Sequence, residues 1–227
     1  MDSKTIVLII RWLVIIAMPF FLGLGMIRAV LAWDYPSFEY ARIPPDQYGF
    51  TPEERLSLAH ATLDYMQRPE PAEEVIYLLQ ELRISGTGQP LYNEREIGHM
   101  LDVKHLTDAI ARVWWVAAVI VVGGLIYLLA QPALRTAGYR AIMQGGLATV
   151  IVLAAIALLI VLGWSFFFVQ FHELLFPPGT WTFYYTDGLI RLFPEQFWFD
   201  VGVIISGGAL LLGIIVMVVG RWLVNAK

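Results

Sequence analysis

The chain has 227 residues, of which 58% are hydrophobic and only 15% charged, with a formal net charge of −4 and a mean hydropathy of +0.66. That balance is far from an ordinary soluble domain, and no nucleic-acid partner is expected from it. The absence of cysteine excludes a thiolate nucleophile, a Cys-ligated metal and disulfides.

Four stretches are long and apolar enough to cross a bilayer, which takes about 20 residues each. They run over 6–32, 113–130, 142–171 and 201–223. The first contains Pro19 and ends in Val30-Leu31-Ala32, faintly like a signal-peptide cleavage site. Its apolar run is far longer than the ~7–15 residues of a signal h-region, so it is read as a span. Short flanking segments carry the orienting charge: Lys4 and Arg11, then Arg135 and Arg140 within 131–141, then Arg221 and Lys227. All three fall on one side of a four-span arrangement, which is therefore cytoplasmic, with both termini. Residues 34–112 and 172–200 then face outward. The expected fold is an all-α membrane protein, a four-helix transmembrane bundle with a largely helical extracytoplasmic domain between spans one and two.

That outer segment is too long to lack structure of its own. Residues 34–50, rich in Pro and Tyr, read as irregular. Thr51-Pro52-Glu53-Glu54 starts a helix to Gln67: Thr51 caps, Pro52 fits the first turn and Glu54 completes a capping box. After Pro69 and Pro71, residues 72–83 read as one amphipathic helix. Ser85-Gly86-Thr87-Gly88-Gln89-Pro90 is a turn or exposed loop. Asn93-Glu94-Arg95-Glu96 is a second capping-box start, opening a helix that carries His99.

There are four histidines, His60, His99, His105 and His172. His60 sits mid-helix among charged residues and reads as solvated. His105 is six residues after His99, about 240° around a helix, and reads as structural. His99 has Asp102 three residues on, on the same side, which can orient an imidazole. His172 ends an apolar run just before the helix-stopping Pro177-Pro178, amid Phe166, Phe167, Phe168, Phe171, Phe176 and Trp181. Those aromatics suit an interfacial belt, but an ionisable group at the hydrocarbon boundary is a functional candidate.

Several chemistries fail on spacing. His172-Glu173-Leu174-Leu175-Phe176 lacks the second histidine of H-E-x-x-H, so no zinc site is expected. Ser165 is seven residues from His172, about 10 Å along a helix, and no G-x-S-x-G occurs. General acid–base work by two imidazoles survives.

The stretch Asn93-Glu94-Arg95-Glu96-Ile97-Gly98-His99-Met100-Leu101-Asp102-Val103-Lys104 resembles one signature of a bacterial four-span family, the Lit-type lipoprotein intramolecular transacylases. A second signature resembles Phe171-His172-Glu173-Leu174-Leu175-Phe176, Trp181-Thr182-Phe183, Asp187-Gly188-Leu189-Ile190 and Leu192-Phe193-Pro194-Glu195. The resemblance implies an acyltransferase of the bacterial cell membrane. Its substrates would be diacylglyceryl lipoproteins, whose sn-2 acyl chain moves from glycerol oxygen to the α-amino group of the same cysteine, giving the lyso-form. It implies that His99 and His172 are the catalytic pair, with no cofactor. Supporting roles are expected for Asp102, Lys104, Glu173, Tyr185, Asp187 and Arg191. His172 would be the primary base and His99 its partner, oriented by Asp102; Lys104, Arg191 or Tyr185 would meet the oxyanion or merely anchor at the interface.

If His99 and Val113 shared one straight helix, His99 would stand about 21 Å above the start of the second span. A bend near Thr107-Asp108, capped by either residue, is therefore expected, with 94–106 lying along the membrane. Paired glycines such as Gly123-Gly124, Gly145-Gly146 and Gly207-Gly208 either pack spans closely or leave a groove for acyl chains. The competing function is a non-enzymatic membrane scaffold or accessory subunit with an outer docking domain. A transporter is disfavoured, because Arg11, Arg28 and Arg112 lie near span ends.

Overall fold

The computed structural model describes residues 2–226, and every regular element among them is a helix. In chain order these are α1 (Ser3–Ala32), α2 (Tyr35–Tyr40), α3 (Pro52–Gln67), α4 (Ala72–Val75), α5 (Tyr77–Gln80), α6 (Glu94–Ala130), α7 (Arg135–Leu162), α8 (Trp164–Leu175), α9 (Gly188–Leu192) and α10 (Glu195–Asn225). A 3-10 turn, Pro132–Leu134, leads into α7. Four helical stretches are long and apolar enough to cross a membrane: α1, α6, Pro132–Leu162 and α10. Their large apolar side chains point outward, as with Val119 at 70% and Leu162 at 75% exposure, the arrangement expected where the solvent is hydrocarbon and the helix satisfies its own backbone.

The chain divides into two compact units. One comprises Met1–Ala29, Ile110–Leu162 and Gly202–Lys227. Its core is Val14, Ala17, Met18, Ala117, Val121, Leu128 and Ala141, so small residues let the helices close on one another. A Cβ at Gly146 would overlap the Met217 backbone, and one at Gly220 the Met143 backbone. Gly124 packs against Val14, Gly145 against Met18 and Gly208 against Met26. Close packing is thus the role of most span glycines; Gly123 and Gly207 face open space.

The second unit is Val30–Ala109 with Gly163–Val201. Its core gathers Leu58, Tyr65, Leu79, Leu91, Tyr92, Met100, Leu192 and Phe197. Several polar groups inside it are paired, as most buried ones are. Tyr40 donates to the Leu192 carbonyl at 2.7 Å, Thr62 and Tyr92 share a hydroxyl bond of 2.7 Å, and Arg55 donates to the carbonyls of Arg191 and Pro44.

Local expectations fare unevenly. Thr51 caps α3, accepting from Glu54 N at 3.1 Å, but the Glu54 carboxylate bonds Ser85 N instead of closing the box. Residues 34–50 are not wholly irregular: Asp34 caps α2 and a proline occupies its first turn. The expected helix over 72–83 is two short helices that end at Gln80, because Leu82 and Ile84 enter a tight loop. Leu91 N donates to Leu82 O and Ile84 N to Gln89 O, with Gly86 and Gly88 at positive φ.

Two corrections bear on the site. The apolar run 142–171 is not one helix: Gly163, at φ −145° and ψ 47°, ends α7 and begins α8. Conversely, α6 runs unbroken through 107–108. Thr107 bonds back to the Val103 carbonyl at 2.9 Å and Asp108 pairs with Lys104, so neither caps a helix there. The expected bend in α6 is therefore absent, and the third apolar run is divided between two helices.

Candidate active site

His99 lies on the inner face of α6. Glu96, His99, Met100 and Lys104 fall at positions i, i+3, i+4 and i+8, one side of the helix, and all four are buried. Asn93 fixes the start of this helix by a reciprocal capping box: its side chain accepts from Glu96 N at 3.0 Å, and Glu96 Oε2 accepts from Asn93 N at 2.8 Å. Glu96 Oε1 then accepts from Leu189 N at 2.6 Å. One carboxylate therefore joins α6 to α9, the two halves of the double signature. Asp187 reinforces the joint, accepting from Tyr184 N at 2.9 Å, Arg95 at 3.1 Å and Asn93 at 3.4 Å.

His172 lies near the end of α8. Phe176 follows in extended conformation, as a residue before proline should be. The His172 ring and that of His99 stack with centroids 6.2 Å apart and planes 26° from parallel. Aromatic walls enclose the pair. Phe176 stands 4.9 Å from His99 and 5.4 Å from His172, Phe183 5.3 Å from His99, and Phe168 and Trp181 4.1 and 5.0 Å from His172.

Protonation follows from contacts. His172 Nδ1 is 2.7 Å from the Phe168 carbonyl oxygen. A carbonyl only accepts, so Nδ1 carries the proton and Nε2 of the neutral ring keeps its lone pair. Burial pushes the His172 pKa below the usual imidazole value, although the Phe168 bond opposes this. A neutral base at physiological pH results. His99 is 6% exposed, and its Nδ1 is buried without a hydrogen-bond partner, as is Trp181 Nε1. A buried, unpaired polar atom costs about 1–3 kcal/mol, which the apolar walls do nothing to offset.

The expected supporting residues separate into groups. Asp102 makes no hydrogen bond to His99, whose Nδ1 has no partner; it is half-exposed, off the face that buries His99. Lys104 is fully buried and spent, donating to the Arg68 carbonyl at 2.8 Å and pairing with Asp108 at 3.3 Å. Arg191 is likewise spent in a two-pronged pair with Asp46, at 2.9 and 3.3 Å, over the Phe50 ring. Tyr185 is 73% exposed. Glu173 is exposed and accepts from Gln170 at 3.0 Å. Asp187 is the joint described above. His60 and His105 pair with Asp34 and Glu73 at the surface, as their positions suggested. Two clefts, of about 550 and 440 Å³, are lined by Glu53, His60 and Asp64 and by Trp164, Glu195 and Phe199, respectively. Neither is lined by His99 or His172; aromatic rings surround that pair, with His99 buried and His172 half-buried. Glu96 escaped the sequence reading as a site residue because a capping box already explained it.

Comparison with known proteins follows the same lines. An uncharacterized protein of Aquifex aeolicus (strain VF5) is 28% identical over 215 residues, 93% of either chain. The solved structure of the membrane integral lipoprotein intramolecular transacylase Lit from Bacillus cereus superposes with a TM-score of 0.80 at 24% identity, covering 99% of each chain. A variant of that protein with a histidine-to-alanine mutation superposes at 0.74 and 23% identity, over 99% of this chain and 96% of the other. Both likenesses are of fold. Residues 5–198 match the family described as lipoprotein intramolecular transacylase Lit, so this chain belongs to that family.

Proposed function

We propose that this protein is a multi-pass enzyme of the bacterial cell membrane that moves the sn-2 acyl chain of a diacylglyceryl-cysteine lipoprotein onto the α-amino group of the same cysteine. The stacked His99–His172 pair, with Nε2 of His172 left as a free base, carries this reading. The substrate supplies its own nucleophile. An α-amino group has a reference pKa of ~7.7–8.0, so roughly a tenth is unprotonated at neutral pH. Its lone pair attacks the ester carbonyl carbon, and the carbonyl electron pair moves to oxygen. The attacking nitrogen thereby becomes acidic and gives its proton to His172 Nε2. The oxyanion pair re-forms the carbonyl, the C–O bond to glycerol breaks with its electrons, and His172 returns the proton to that oxygen. One ester and one amine become one amide and one alcohol, with no atom gained or lost.

The aromatic walls, in which Phe176 is buried and Phe168, Trp181 and Phe183 are half-buried, limit the water that can compete for the acyl group. His99 presents its unpartnered nitrogen to the folded headgroup. Asp187, Arg95 and Glu96 hold the two signatures together without touching the reacting atoms. The surplus of Lys and Arg on the short segments supports cytoplasmic termini and an outward-facing site, where exported lipoproteins reside.

A purified-protein assay tests the reaction. The substrate is a synthetic diacylglyceryl-cysteine peptide in detergent, alongside the same peptide with an acetylated amine. The free-amine peptide should change retention at constant mass, its fragments showing N-acylation. The acetylated peptide should stay unchanged. Acyl release as free fatty acid from both would instead identify a hydrolase.

A further inference from the structure

We propose that the Trp181 indole N–H donates the hydrogen bond that stabilises the oxyanion of the transfer, a role resting on the transacylase reading above. The charged donors expected from the sequence are already committed. Lys104 is held by Arg68 and Asp108, and Arg191 by Asp46. Tyr185 projects into solvent. Among the described residues, buried side-chain nitrogens without a partner occur at Arg11, His99, Trp164 and Trp181. The Trp164 ring meets Phe167, Phe168 and Phe199 and neither histidine. Trp181 alone joins an unpaired, obligate donor to a ring in contact with the base, at 5.0 Å from His172.

Its placement is built in advance. Phe176 is followed by a tight turn in which Thr180 N and Oγ1 both donate to the Pro177 carbonyl, at 3.3 and 2.9 Å, with Gly179 at φ +81°. Two prolines and this turn fix where Trp181 begins. A donor held in a dry, low-dielectric site gains most when negative charge develops in front of it. The ester enters between the His172 and Trp181 rings, parting them. As the amine attacks, the carbonyl pair settles on an oxygen that the indole N–H then bonds, while Nε2 of His172 takes the nitrogen's proton. Indole stays neutral throughout, so no charge has to be buried before the substrate arrives.

The test compares wild type, Trp181→Phe and a variant with benzothienylalanine at 181, which keeps the ring's size but replaces N–H by sulfur. Each is assayed on the diacylglyceryl-cysteine peptide. Loss of one such donor lowers kcat by about 10²–10³-fold, with KM within a few-fold. The melting temperature should not fall, because the N–H has no partner to lose in the resting protein. Indole ¹H–¹⁵N spectra of wild type should show the Trp181 resonance, assigned through Trp181→Phe, moving downfield with a phosphonate mimic of the tetrahedral intermediate. Active wild type, a benzothienylalanine variant within threefold of it and an unmoved resonance would overturn the role of Trp181 and leave the transacylase reading intact. Wild type that never transfers the acyl chain would overturn both.

Discussion

At the scale of the residue, His172 is set apart by where its proton sits. Nδ1–H is tied to the Phe168 carbonyl and burial resists a charge on the ring. The ring of His172 should therefore titrate with its midpoint below the ordinary imidazole value of 6.5. An NMR titration of the imidazole in the substrate-free protein measures this apart from the substrate amine, which governs the acid limb of turnover; a ring midpoint above 6.5 would contradict it. The same depression makes a stability claim. The contribution is complete above the unfolded value of 6.5 and is lost as pH falls through the lower folded value. Asp46 behaves alike in a lower window. Burial raises its pKa, but Arg191 and the backbone N–H groups of Phe50 and Tyr48 outweigh that and hold it below 3.8. Breaking this buried pair with Arg191→Ala leaves a carboxylate unmatched and should cost about 3–5 kcal/mol, read by chemical or thermal unfolding. Both histidines were legible in the sequence through their surrounding motifs. The fates of Asp102, Lys104 and Arg191 were not, because spacing places a Cβ on a helix face but says nothing of the carbonyl or carboxylate that satisfies a long side chain from elsewhere.

At the scale of the element, the site depends on the joint between α6 and α9. Glu96 accepts from both Asn93 N and Leu189 N. Glu96→Ala orphans the buried Leu189 N–H, at about 1–3 kcal/mol, and leaves the part-buried Asn93 N–H to water. Glu96→Gln keeps an acceptor oxygen and should lose less. Comparing the two melting temperatures checks this; equal losses would mean that the side chain's volume, and not its bonds, matters. Gly188 belongs to the same joint, since a Cβ there would overlap the Leu91 carbonyl. Helix starts at Thr51 and Asn93 were readable from their capping residues. The break at Gly163 was missed because the apolar run continues without interruption across it, from Leu162 to Trp164. One glycine in a hydrophobic sequence is a weak local signal.

At the scale of the whole molecule, hydropathy was enough to find four long apolar helices, because a hydrocarbon solvent leaves few other options. Which glycines pack was not readable: Gly146 meets a backbone, while Gly123 meets nothing. Gly146→Leu should therefore destabilise by about 1–3 kcal/mol through overpacking, and Gly123→Ala should be close to neutral. Unfolding in detergent separates the two, and equal effects would contradict the packing described for Gly146. The central claim concerns an acyl group and a histidine, and mass spectrometry of one lipopeptide addresses it. The protein, or its His172→Ala variant, is expressed in a bacterial host lacking every N-acylating enzyme, and the N-terminal lipopeptide of a lipoprotein is fragmented. Wild type should place one acyl chain on the amine at unchanged total mass, and the variant should leave both chains on glycerol. The same diacylglyceryl lipopeptide from both, at equal expression, would contradict the account and favour a membrane scaffold.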